Sequence, residues 1–389
     1  MARDKTLFKW MQSLSVDTLS PDSINRYLEE EIVHDKADIL NQFGQTLNSM
    51  STGERKRTFL TYHLSRPAEV LVLDHFFDGI DVQSHDSIRE KLNKAVKNIH
   101  AINIYSRNED HLTFAKKNYL FEKGMLIPST FQQIKAVRAI HFDGSIPDPA
   151  REPKYYDETL VCFNKVSISY LNKPVLKDIS WQIRMGEFWH LYGPNGAGKT
   201  TLLTLISGDN TKAYGQDITL FGQRKGSGES IWEIRQKVGY FTSNMIFQFK
   251  KRQTVREIII SGFYDSVGLY VVPGEVEILL ADEWLVFLGL SEHANEPFIA
   301  TSLCHQRMIL IARAMVKHPP LLILDEPTVD LDEQSVQLMV ALVNRIASTR
   351  QTTLIYVSHR MDAGLNLTHT YELVSNENGS SGISRKISS

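Results

Sequence analysis

Residues 193–201 read GPNGAGKTT, a lysine and two threonines set behind three glycines. The spacing G-x-x-x-x-G-K-T is that of a phosphate loop. Glycine lets the backbone curl until successive N–H groups face one centre, and such a centre suits an anion. A helix begun at the loop adds its positive end. Gly193, Pro194, Asn195, Gly196, Ala197, Gly198, Lys199, Thr200 and Thr201 are therefore candidate contacts to ATP. Lys199 is expected to reach the β- and γ-phosphates, and the Thr200 hydroxyl to ligate Mg2+.

Two further clusters follow along the chain. LLILDEP, residues 321–327, is an apolar run that ends in two carboxylates. After a phosphate loop, Asp325 is placed to hold Mg2+ through water and Glu326 to polarise the attacking water. His359 follows the apolar run TTLIYVS, one strand after the acidic pair. That is where a γ-phosphate sensor sits, since imidazole can donate to an anion or take a proton near neutral pH.

These clusters need strands that end together and a helix that starts at the loop. FWHLY (188–192) reads as a buried strand leading into the glycines, and TTLLTLISG (200–208) as a helix stopped at Gly208. Short β-branched runs alternate with helical patterns, which predicts parallel βαβ units and an α/β fold. Residues 253–290 carry apolar residues at helical spacing and predict a helical subdomain.

Composition excludes several classes. The chain has 389 residues, 42% of them hydrophobic, and a formal net charge of -2. No global basic field draws it to nucleic acid or acidic lipid. Two cysteines, Cys162 and Cys304, argue against a disulfide scaffold and suit a reducing cytoplasm. No stretch of 18 apolar residues occurs, so a transport role needs separate membrane subunits.

The chain also repeats itself. At a shift of 251 residues Ser51 falls on Ser302, Asp74 on Asp325, Asp81 on Asp332, Gln83 on Gln334 and Ser84 on Ser335. VLVLD (70–74) falls on LLILD, and INIYSR (102–107) on LIYVSH (354–359) with a one-residue gap. The copies are unequal, because only fifty residues precede Ser51 and Met1–Phe43 holds no glycine for a phosphate loop. The missing segment would include a strand beside VLVLD. Either the natural protein is longer, or residues 1–43 or another copy cover that place. The expected division is a partial unit at 1–126, a proline-rich connector at 127–157, a complete unit at 158–375 and a mobile tail at 376–389.

The order GPNGAGKTT, LLILDEPTVDLD, YVSHR resembles the ATP-binding cassette family of P-loop ATPases. The resemblance covers residues 160–370, and more loosely 44–125. It implies a P-loop NTPase fold with one complete cassette preceded by a partial, degenerate one. It implies that Tyr170 stacks on adenine and that Val329–Asp332 form the D-loop. Ser243, after VGYFT, stands where the family has a glutamine that touches Mg2+. The family's signature loop, LSGGQ, caps ATP bound to an opposing cassette. MSTGER (Met50–Arg55) matches it, so Ser51 and the Gly53 N–H are candidate γ-phosphate contacts; TSLCHQR (Thr301–Arg307) puts Leu303 and Cys304 where the glycines belong. In the first copy His75 replaces the catalytic glutamate and Arg107 the sensor histidine.

The defects are complementary: the sound phosphate loop is in the second copy and the sound signature in the first. The expected function is Mg-ATP binding and hydrolysis by the ATP-binding component of a transport system, with permease subunits as partners. The chain would then be cytoplasmic and peripheral on the inner membrane, with its cassettes paired as a pseudo-dimer or homodimer. The alternatives are a soluble ATPase linked to nucleic acid or the ribosome, or a slow nucleotide-dependent switch. Soluble tandem-cassette proteins, such as those named as molybdenum-transport or photorepair ATPases, are the nearest resemblance. A charged side chain in the working signature blocks closure on phosphate. Ser51→Arg is therefore expected to abolish phosphate release and Ser302→Arg to leave most of it. The reverse pattern, with activity rising steeply with protein concentration, would mark a head-to-tail homodimer of second cassettes.

Overall fold

The computed structural model describes residues 14–33, 38–44, 46–47, 50, 52–77, 80, 82–122, 124–130, 142, 144–149, 158–171, 173–228, 230–249 and 252–387. Ser51 and Asp81 lie outside them. The chain divides into two compact units, residues 1–138 and 139–389. No described helix is long and apolar enough to cross a membrane.

In the first unit β1 (Val16–Leu19), β2 (Val70–Asp74) and β3 (His100–Ile104) form a parallel sheet in the order β1-β2-β3. Residues 1–43 thus do supply a strand beside VLVLD, with Val16 opposite Val70. Helices α1 (Pro21–Val33), α2 (Asp38–Phe43), α3 (Thr52–Ser65) and α4 (Val82–Ala95) accompany the sheet, over a core that includes Leu19, Leu60, Leu71, Leu73, Phe77 and Leu92. A hairpin, β4 (Asn118–Glu122) and β5 (Met125–Ser129), follows.

The connector expected at 127–157 needs correction at its start. Residues 127–129 are the end of β5. Farther on, Phe142 and Ile146 pack against the core of the second unit, and Arg345 donates to the Gly144 carbonyl at 3.1 Å. Apolar side chains inside the polar, proline-rich stretch anchor it.

In the second unit β6 (Thr159–Tyr170) and β7 (Lys173–Arg184) pair antiparallel, and β8 (Phe188–Tyr192) leads into α5 (Lys199–Ser207). β9 (Ile218–Leu220), β10 (Gln223–Arg224), α6 (Ile231–Lys237) and β11 (Val238–Thr242) come next. The stretch expected to be helical holds α7 (Val255–Ile260) and α8 (Glu275–Leu288). A capping box starts α7: Thr254 N–H donates to Glu257 at 2.8 Å, and Glu257 N–H returns to the Thr254 hydroxyl at 3.3 Å. Then come α9 (Leu303–Met315), β12 (Leu321–Asp325), α10 (Glu333–Ser348), β13 (Thr353–Val357), β14 (His369–Val374) and β15 (Ser381–Lys386).

The main sheet runs β11-β12-β13-β8-β14-β15, parallel except for the β14–β15 pair. Both faces are covered, so its strands are apolar on both sides. Leu322, Leu324, Leu354 and Tyr356 face the core built with α7 to α10; Leu321, Ile323, Ile355 and Val357 face the core shared with β6, β7 and α5.

Within the tail expected to be mobile, Ser381–Lys386 form a strand: β15 pairs along β14 from His369–Lys386 to Val374–Ser381. Its glycine, serines and charges read as loop chemistry, yet the backbone donors and acceptors of the β14 edge give it a template.

The repeat is visible in the backbone. His75 and Glu326, matched at the shift of 251, are both left-handed, with φ of 48° and 52°. Lys56 donates to the His75 carbonyl at 3.2 Å; its match Arg307 donates one residue farther along, to the Pro327 carbonyl, at 3.0 Å.

Candidate functional site

The loop after β8 is built as the glycines require. Gly193 and Gly198 have φ of 154° and 95°, values that side-chain-bearing residues rarely adopt. A Cβ on Gly198 would meet Leu176 at 2.7 Å, and one on Gly193 would meet the Leu373 carbonyl at 2.6 Å. Ala197 is buried beneath the loop. Lys199 opens α5 and its ammonium donates to the carbonyls of Gly193 and Pro194, at 2.8 and 3.1 Å. The lysine is thus folded along the loop.

A cavity of 370 Å³ lies over this loop, lined by Val175, Asn195, Gly196, Gly198, Lys199, Thr200, Thr201, Thr242, Ser243, Asn244, Asp325 and Glu326. The loop's lysine and two threonines, with a third threonine from β11, thus share one cavity with two acidic residues. Gly193, Pro194 and Ala197 shape the loop from outside this lining. Register explains the convergence: Thr242, Asp325, Val357 and Leu191 are successive partners across β11, β12, β13 and β8. Residues just past those four positions meet at the carboxyl ends of the strands, where α/β sheets bind ligands. Among them, Ser243 lines the cavity in the place expected for a glutamine.

His359 pairs with Glu326: its Nδ1 lies 3.1 Å from each carboxylate oxygen. The Glu326 N–H donates to the Val357 carbonyl at 2.9 Å, which joins the acid to the strand that carries the histidine. The His359 Nε2 is buried without a hydrogen-bond partner among the described residues. His359 does not line the cavity and reaches it through Glu326; its Nε2 would bond an anionic ligand when it carries a proton.

Tyr170 ends β6, 40% exposed, and its hydroxyl accepts from Asn210 at 2.8 Å. It does not line the cavity; Val175, from the paired strand, does. Gly53 is buried in the first turn of α3. Ser302 is the N-cap of α9, accepting the His305 N–H at 3.2 Å, and the Cys304 thiol turns to the Ser335 carbonyl. His75, at the place of Glu326 in the first unit, bonds with Asp74 at 2.8 Å and Ser106 at 2.6 Å. Sequence reasoning missed Val175, Thr242 and Asn244, since no motif marks them; β-strand register alone identifies Thr242.

A divalent metal can be tested against these donors. Asp325, Thr200, Thr242 and Ser243 offer oxygen, which suits a hard cation such as Mg2+. No group of three or more metal-binding His, Cys, Asp or Glu side chains occurs among the described residues.

Comparison with known proteins gives a consistent picture. The family model described as ABC transporter matches residues 176–329. The ABC transporter ATP-binding protein ModF of Escherichia coli (strain K12) is 35% identical over 397 residues, spanning 94% of this chain and 81% of that protein. An uncharacterized ABC transporter ATP-binding protein of Schizosaccharomyces pombe is 30% identical over 332 residues, 82% of this chain and 66% of that one. The solved structure of cbiO1 from Clostridium perfringens, part of an ABC transporter complex, covers 58% of this chain and 87% of its own at a TM-score of 0.50 and 22% identity, which shows the fold.

Burial, then the neighbouring Glu326, pushes the Asp325 carboxyl up to about 6; Lys199 pulls the other way. An acid raised in the folded state binds its proton more tightly there than when unfolded. Its ionisation therefore costs stability as pH rises from about 4 to about 6. Asp325→Asn removes that cost. Without nucleotide, the variant is expected to be more stable than the wild type at pH 8 by roughly 3 kcal/mol, the free energy of a shift of about two units. The gap should close by about pH 4. Urea unfolding across that range measures it; equal stability at pH 8 contradicts the raised acid.

Proposed function

The chain belongs to the ATP-binding cassette family of ATPases, and from that premise we propose that residues 193–201 hold the triphosphate of Mg-ATP while Glu326 directs its hydrolysis. The observation that carries this reading is the single cavity bounded by the phosphate loop and by Asp325 and Glu326. The loop amides and the α5 N-terminus bind phosphate oxygens. Lys199 exchanges its bonds to Gly193 and Pro194 for the β- and γ-phosphates. Asp325 and Thr200 hold Mg2+, which when bound neutralises charge developing on the phosphates.

Glu326 takes a proton from the attacking water. As an imidazolium, His359 steadies it by donating from Nδ1–H and has its Nε2–H for the γ-phosphate. Left-handed backbone at Glu326 costs on the order of 1 kcal/mol and recurs at functional positions, where it aims a side chain. Tyr170 packs against the adenine from the end of β6.

The output of this cycle is transport. Relatives across most of the chain bear transporter ATP-binding names, and no described helix can cross a membrane. Permease subunits are therefore separate chains, and this one sits against them at the cytoplasmic face. An affinity-tagged chain is expected to recover polytopic membrane protein from detergent-solubilised membranes. Recovery in the soluble fraction alone, with unchanged ATPase activity, would remove transport from the reading.

At a hundred times Kd, Mg-ATP stabilises the protein by about 2.7 kcal/mol and raises its melting temperature. Lys199→Ala is expected to erase that shift. Glu326→Gln is expected to keep the shift and lose turnover by about 10²- to 10⁴-fold, the range for a lost general base. Undiminished phosphate release by Glu326→Gln would exclude Glu326 as the base.

A further inference from the structure

Behind the Glu326–His359 pair lies a second, fully buried contact that the hydrolysis scheme does not use. Thr328, two residues after Glu326, donates to Asp362 Oδ2 at 2.7 Å. Asp362 stands three residues after His359. Tyr356, inside β13, donates to the same oxygen, and its hydroxyl lies 3.3 Å from that of Thr328. Relative exposures are 3% for Thr328, 0% for Tyr356 and 6% for Asp362. A buried carboxylate is expensive unless bonded, so these hydroxyls are held firmly.

The next residue is fixed as well. His190, in β8, bonds through Nε2 with the Ser358 hydroxyl at 2.9 Å, and that hydroxyl donates to the Arg360 carbonyl. The peptide on both sides of His359 is therefore pinned.

The repeat separates this arrangement from general packing. Strand pairing puts Ile104 beside Asp74 and Val357 beside Asp325, so β3 matches β13 at a shift of 253 and Asp362 falls on Glu109. Asn103 stands at the place of Tyr356, and at the 251-residue shift Phe77 stands at that of Thr328. Both hydroxyls are present only in the unit that keeps the glutamate and histidine.

We propose that Asp362, with Thr328 and Tyr356, is a positioning residue that locks the loop after Glu326 to the loop after His359. It sets the distance between the catalytic acid and its histidine. The inference rests on the roles given above to Glu326 and His359. One loop cannot shift without breaking a buried bond to the other, so the pair moves as a unit.

The test uses the full-length chain. Asp362→Leu is expected to lower kcat by about a hundredfold, the size of effect that a misplacement of about 1 Å produces, with KM for ATP little changed. Thr328→Val should fall about tenfold. Asp362→Asn keeps an oxygen acceptor for both hydroxyls and should recover most of the loss. Combined with Glu326→Gln, Asp362→Leu should add no further loss, since it acts through that residue. Hydrogen exchange reads the lock without turnover: in Asp362→Leu, residues 326–332 and 358–363 should lose protection together while β12 keeps its own. Unchanged exchange in both segments, or losses that multiply with Glu326→Gln, would overturn the proposal. A wild type without turnover that still loses protection in Asp362→Leu would sink the hydrolytic reading and leave the lock standing.

Discussion

Thr242, Asp325, Val357 and Leu191 form one row across four parallel strands. β11, β12 and β13 end at that row and β8 one residue past it, at Tyr192, and the chain turns on into Ser243, Glu326, Ser358 or Gly193. Parallel pairing imposes the level ends, because a slip by one residue would turn each strand inside out and expose its apolar side chains. With both faces of the sheet covered, such a slip is heavily penalised. The site is therefore held by the burial of Leu322, Ile323, Leu324, Ile355 and Tyr356 as much as by its own polar bonds.

That dependence explains what could be read from the sequence. The phosphate loop, the strand carrying Asp325 and the strand before His359 are short local patterns whose residues dictate their own backbone. Gly193 and Gly198 occupy conformations in which other residues are strained and where the surroundings leave no room for a Cβ. The α/β class followed from the same alternation of apolar runs and helical spacing. What escaped depends on pairing between distant segments. The serines, glycine and charges of β15 look like a loop until β14 offers them an edge. Thr242 enters the cavity by register, and Asp362 matters by what it touches across 34 residues of chain. Neither carries a local signal.

The two units show how much of this architecture survives without its chemistry. The first keeps a central VLVLD strand, the left-handed residue after it and a cation bonded to the carbonyl there. At the chemical position, however, His75 bonds with Asp74 and Ser106. A side chain that forms two short local contacts in place of an extended acid is a settled structural element. Backbone geometry and reactivity are thus separable in this fold, the first specified by core packing and the second by a few side chains at the strand ends.

The strand β15 has a consequence for the life of the molecule in a crowded solution. It covers one side of β14, and six consecutive backbone pairs tie the two together. Without it β14 would present a row of bare amides and carbonyls beside Tyr371 and Leu373, the kind of edge onto which a foreign strand adds. Among its own exposed residues, Ser384, Arg385 and Lys386 oppose such growth, beside Ile383. A chain nicked by a protease near Gly379 would keep its phosphate loop and acidic pair, yet would gain an adhesive border. Its loss would register first as cloudiness on storage rather than as a slower enzyme.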